Sequence, residues 1–165
     1  MLNSYELIGF LSRDLSHSIL ADTAEDNPEL YQATLAGVSK LRGLRPQYIK
    51  RQRPEARHQL LLESLSRPAL EETTSQLISG WLIKHQADLL KSFLDALKVK
   101  HDDGVVDDLP ESIADDVLSA AVDELLANHE REIVILYLHA FHAMNGAGWP
   151  NLESALENDE RLQFV

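Results

Sequence analysis

Residues 68–100 read PALEETTSQLISGWLIKHQADLLKSFLDALKVK, and the spacing of the apolar residues within them decides the fold class. Leu70, Leu77, Ile78, Trp81 and Leu82 fall on one side of a helix, and Leu89, Leu90, Phe93, Leu94 and Leu97 repeat the pattern. Recurrence every three or four residues is the period of an α-helix, not the two-residue alternation of a half-buried strand. A single helix over all 33 residues would far exceed the usual length of ~11–12. The spacing therefore predicts two helices joined near Lys84-His85-Gln86.

The same period extends outward in both directions. Downstream, Val117, Leu118, Val122, Leu125 and Leu126 predict one helix, and Ile133, Val134, Tyr137, Leu138 and Phe141 a second. Asn145-Gly146-Ala147-Gly148 should stop it, with Trp149-Pro150 leading into a short helix that carries Leu152 and Leu156. Upstream, Asn3 and Glu6 form a capping-box pattern ahead of a helix whose inner face is Ile8, Leu11, Leu15 and Ile19. Asn27-Pro28-Glu29 opens the next, because proline at the first helical position loses only an N–H that has no partner anyway. Tyr31, Leu35 and Val38 are its stripe, and Gly43 suits a left-handed stop. A basic stretch bounded by Pro46 and Pro54 follows, then a helix with Leu61, Leu62 and Leu65 inside.

These elements predict an all-α protein, with helical hairpins packed as a bundle or as a short α-solenoid-like array. At an offset of 44 residues His85 falls on His129, Phe93 on Tyr137, Leu97 on Phe141 and Gly104 on Gly148. That is compatible with a two-fold internal repeat of about 44 residues. The competing explanation is that any two amphipathic helix pairs match at several positions by phase alone. Residues 1–66 would then be an N-terminal helical subdomain or cap and 67–165 a helical-hairpin subdomain, unless the two form one domain.

Composition excludes more than it assigns. The 165 residues contain no cysteine, so disulfides, thiolate metal sites and cysteine nucleophiles are absent. The N-terminus lacks a basic start with an apolar run behind it, and the most apolar stretch, Ile133 to Leu138, is far short of the ~20 residues that span a bilayer. A soluble, cytoplasmic protein with no membrane association is the expectation.

Net charge is −12 but unevenly spread: residues 1–38 carry −5, residues 39–67 carry +6, and residues 68–165 carry −13. Lys40, Arg42, Arg45, Lys50, Arg51, Arg53 and Arg57, with Tyr48 among them, are the candidate partner-binding residues. Cations at this density attract an anionic partner, and a tyrosine adds a face for packing or stacking. They could equally pair with acids of the C-terminal half, as glue within the chain.

Other constellations fall short of a site. Glu55 and His58 match one Glu-x-x-His unit, whereas a carboxylate-bridged di-metal bundle needs two such units and two further glutamates. Asp14 and His17 have the same spacing, and His139 and His142 lie one turn apart. Asp102, Asp103, Asp107, Asp108 and Glu111 crowd one loop, but Gly104 stands third rather than sixth and the acids come in adjacent pairs, which argues against a calcium loop. No Gly-rich phosphate loop, nucleophile elbow or zinc-protease motif occurs. No catalytic residue, metal, cofactor or small-molecule ligand is deduced. The expectation is a non-catalytic helical protein-interaction module, binding a protein or a second copy of itself. A nucleic-acid-associated protein using residues 40–57 is the alternative, and a small all-helical enzyme comes third.

Overall fold

A computed structural model describes residues 1–145 and 148–164. Among these residues the chain is all-α, with ten α-helices and no strand. The helices are α1 (Ser4–Phe10), α2 (Arg13–Asp26), α3 (Pro28–Arg42), α4 (Pro46–Lys50), α5 (Pro54–Leu65), α6 (Glu71–His85), α7 (Ala87–Ala96), α8 (Asp115–Asn128), α9 (Arg131–Met144) and α10 (Pro150–Asn158). They form two compact units, Leu2–Trp81 and Leu82–Val165, the second also including Met1. The division falls inside α6.

In the N-terminal unit, α3 is the centre and packs against α2, α4 and α5. Its start and stop follow from sequence. The Asn27 side chain accepts a hydrogen bond from the Leu30 N–H at 3.4 Å, Pro28 takes the first helical position, and Gly43 ends the helix at φ +66°. Ile19, Leu20, Leu35, Val38, Ile49, Leu61, Leu65 and Leu77 are fully buried around it. Glu6 caps α1 through the Asn3 N–H at 2.8 Å. The Glu71 carboxylate, from α6, accepts from the Ser4 and Tyr5 N–H groups at 3.0 and 2.9 Å. A carboxylate there meets unpaired donors and the positive end of the helix dipole.

The predicted first helix is in fact two. Leu11 leaves α1 with extended backbone, ψ 148°, and Ser12 starts α2 by accepting from the Leu15 N–H at 3.2 Å. The apolar phase of Ile8, Leu11, Leu15 and Ile19 runs across the break and hides it.

In the C-terminal unit, α7 packs on α8, and α9 on α8 and α10. Helix α9 was expected to bury one stripe. Instead Val134 through Phe141 are buried without interruption, including Ile135 and Leu136 on the side predicted to be outer. A helix that is apolar all round belongs in the middle of a core. Phe93 meets Tyr137 and Phe141 edge to face, with ring centroids 5.5 and 5.1 Å apart. Trp149 is buried against Phe141 at 5.3 Å and donates its indole N–H to the Pro110 carbonyl at 2.9 Å. The predicted Asn145–Gly148 stop includes Gly146 and Ala147, which lie outside the described residues.

The predicted break in 68–100 is present, with Gln86 as the residue between α6 and α7. Helix starts recur 44 residues apart, Glu71 with Asp115 and Ala87 with Arg131, and Gly104 and Gly148 both have positive φ. The repeat is nevertheless not confirmed. Residues 106–114 hold no helix to match α10. The aligned residues Phe93 and Tyr137 meet edge to face, as neighbours in one core.

Candidate functional site

The basic segment occupies the corner formed by the end of α3, the single turn α4 and the start of α5. Pro46 and Pro54 each take the first helical position, so Arg45 and Arg53 become helix-flanking residues with extended backbone. Ile49, fully buried, anchors the turn. Lys40, Arg45, Tyr48, Lys50, Arg51 and Arg53 are exposed.

Two of the eight candidates are committed elsewhere. Half-buried Arg42 donates through Nε to Ser64 Oγ at 2.8 Å and lies 3.7 Å from the Glu63 carboxylate. Half-buried Arg57 donates to the Lys50 carbonyl at 3.2 Å and sits beside the Tyr31 phenol, whose pKa is raised by burial and only partly brought back by the guanidinium. For the other cations no ion pair occurs among the described residues. The acid that Arg42 reaches is Glu63 of the neighbouring helix α5.

The histidines with acid spacing come together in part. His17 of α2 and His58 of α5 face each other, Nδ1 to Nδ1 at 3.2 Å, with rings edge to face. One nitrogen must carry the proton that the other accepts, so two imidazolium rings do not fit the contact. Burial, His17 and Arg57 all lower the His58 pKa. Glu55 is turned to Arg13 at 3.5 Å. No group of three metal-ligating side chains occurs among the described residues.

The start of the acidic loop is held by local pairing. Asp102 and Val105 exchange backbone hydrogen bonds of 2.9 Å across a turn with Asp103 and Gly104 at φ +51° and +89°. An Asp-Gly pair with positive φ at both positions is the signature of a type I′ turn. Lys91 pairs with Asp103, and His101 with Asp95, both at 2.6 Å.

Sequence reasoning missed what lies in the C-terminal unit. A groove of about 630 Å³ runs between α8 and α10 over Leu118, Val122 and Ala155. Its cation, Arg161, is already neutralised by Asp123 at 2.7 Å and Asp159 at 2.8 Å. A smaller cavity of about 160 Å³ lies between α7, residues 104–109 and α9, with Tyr137 and Asn145 in its lining. Both residues are buried, and Tyr137 Oη and Asn145 Nδ2 have no hydrogen-bond partner among the described residues. Burial raises the Tyr137 pKa well above the ordinary phenol range, so the group stays a protonated donor. The sequence signal was an amide closing the most apolar helix of the chain, but no residue pattern predicts a cavity. No family model, curated protein or solved structure matches the chain.

Proposed function

We propose that the protein is a non-catalytic helical interaction module that binds an acidic protein surface through Lys40, Arg45, Tyr48, Lys50, Arg51 and Arg53. The observation behind this reading is that these cations are exposed and make no ion pair among the described residues. In a chain of net charge −12, acids are plentiful. Arginine and tyrosine are also the side chains most enriched where interfaces bind tightly, because both bury area and still hydrogen-bond. Arg42 and Arg57 serve as supports, fixing the ends of the corner to α5 and to the Lys50 carbonyl.

An acidic protein fits better than a nucleic acid. The segments on either side carry −5 and −13, which repel a long polyanion and tolerate a compact acidic patch. The test compares a polyglutamate peptide with an oligouridylate of equal charge, by calorimetry at low and at physiological salt. Polyglutamate should bind the native protein, weaken with salt, and lose about tenfold or more in affinity when Arg45, Arg51 and Arg53 become Gln. Tighter binding of the oligouridylate at physiological salt would move the reading to nucleic acid. Equal binding by the native and triple-variant proteins would remove this surface from the function.

A further inference from the structure

We propose that His17 and His58 bind one divalent cation of the zinc class through their Nδ1 atoms, with water in the remaining positions, at the edge of the contact between α2 and α5. The inference does not depend on the basic surface, to which neither histidine belongs.

Distance is the first argument. The two Nδ1 atoms lie 3.2 Å apart. Zinc holds an imidazole nitrogen at about 2.0–2.1 Å, so two nitrogens on one tetrahedral ion stand about 3.3 Å from each other. The rings already have that spacing. They are nearly perpendicular, with centroids 4.8 Å apart. A head-on contact across the same gap would hold the centroids farther apart, so the contact is bent, as it is for two ligands of one ion. Within the present pair one ring donates and the other accepts. Moving that proton to Nε2 leaves two neutral rings with both Nδ1 lone pairs open to a metal, and no change of charge is needed.

Placement is the second argument. His17 stands on α2 and His58 on α5, two helices packed against each other in the N-terminal unit. Ligands fixed on packed helices lose little freedom when an ion joins them. Both rings are half-buried, and the adjoining Ser18 and Gln59 are exposed, so the pair lies at the solvent margin of the contact. Asp14 and Glu55 each stand one turn before a histidine, on the same helix row. Both are exposed, and the contact of Glu55 with Arg13 is a solvent-exposed ion pair at 3.5 Å, of small worth. These carboxylates offset the charge of Arg57 and can accept from water on the ion. Ligand type is the third argument. Imidazoles without thiolates suit zinc, nickel and copper, whereas magnesium and calcium take oxygen.

The experiment titrates zinc chloride into the full chain at neutral pH, followed by calorimetry and by the ring-nitrogen resonances of labelled histidine. One zinc per chain should bind, with saturable shifts at His17 and His58. Both rings should then carry their proton on Nε2, a readout that needs no variant. His17→Gln and His58→Gln should each weaken binding about tenfold or more. Magnesium chloride at equal concentration should leave these resonances in place. No saturable shift at His17 and His58 would overturn the proposal. So would a proton retained on either Nδ1 in the presence of saturating zinc, or affinity unchanged in both variants, which would put the ion elsewhere.

Discussion

The two units bury their polar groups in opposite ways. In the N-terminal unit the buried polar side chains are hydroxyls that find a carbonyl close along the chain. Thr23 donates to the Ile19 carbonyl at 2.6 Å, Thr34 to Leu30 at 2.9 Å and Ser64 to Leu60 at 2.7 Å, each four residues back. The exceptions are Ser39 Oγ, Arg42 Nη2 and Arg57 Nε. In the C-terminal unit the Trp149 indole is paired with Pro110, but the Tyr137 phenol, the His139 and His142 imidazoles and the Asn145 amide each have a buried atom with no partner among the described residues. Side-chain length explains the contrast. A hydroxyl on Cβ reaches its own helix backbone. A phenol or imidazole carries its polar atom past its own helix and depends on a neighbour, a solvent molecule or a ligand. Local satisfaction gives a self-contained unit, and its absence leaves the C-terminal core with unmet polar atoms.

Breaking the aromatic centre should have the largest effect. Phe93 is fully buried and stands edge to face with two rings. Phe93→Ala should cost about 3–5 kcal/mol in chemical denaturation, as large-to-small core changes do. A loss under about 2 kcal/mol would show that the aromatic cluster does not hold this unit together.

Acid should act next, through His139. This imidazole is 4% exposed, and its pKa is lowered to about 4, chiefly by burial, with the N-terminal ammonium and His142 adding to the effect. The unfolded chain, with its ordinary pKa near 6.5, therefore binds the proton more readily than the folded one. Stability from this group is complete above pH 6.5 and is lost as pH falls toward 4. Between pH 7 and 4.5 the loss should be about 2 kcal/mol, read by denaturation at the two pH values. His139→Gln should remove that part of the pH dependence, and an unchanged slope would contradict the burial of a neutral ring.

A matched pair of hydroxyl deletions sharpens the contrast directly. Thr74 Oγ1 donates to the carbonyl of Leu65, the last residue of α5, at 2.8 Å. Thr74→Val strands that carbonyl and should cost about 1–2 kcal/mol. Tyr137→Phe removes a donor that has no partner and should be neutral or stabilising by up to about 1 kcal/mol. If Tyr137→Phe costs as much as Thr74→Val, the two units do not differ in the way their polar groups are satisfied.

Legibility in the sequence followed the range of the interaction. Features set within one turn could be read, the Asn27-Pro28 start and the Gly43 stop, and the break at Gln86 followed from the length of the apolar pattern. The break at Ser12 left a cap signal too, but the continuous apolar phase outweighed it. Two-sided burial of α9 was hidden because periodicity reports one stripe, and Ile135 and Leu136 lie off it. The basic segment was visible as charge, whereas the commitment of Arg42 and Arg57 depends on where α5 packs. The cavity was beyond reach, since Leu90, Val106 and Tyr137 are far apart in the chain.

The smallest effect is expected where the N-terminal unit meets solvent. Arg45, Arg51 and Arg53 are exposed and make no ion pair among the described residues. Arg45 and Arg53 flank helix starts, where a positive charge opposes the helix dipole, so removing it relieves a small repulsion. The three cations also repel one another within a short stretch of chain, a term that salt screens over about 8–10 Å. Against these gains stands only the loss of the aliphatic stems. Changing all three to Gln should therefore alter stability by no more than about 0.5 kcal/mol, at low and at high salt. Arg42→Gln is the control, because it removes the bond to buried Ser64 and should cost about 1 kcal/mol or more. A loss above about 1 kcal/mol in the triple variant would make the patch internal glue after all. Unchanged stability together with lost polyglutamate binding would separate the two roles of the segment, with Arg42 and Arg57 holding the corner and the exposed arginines holding the partner.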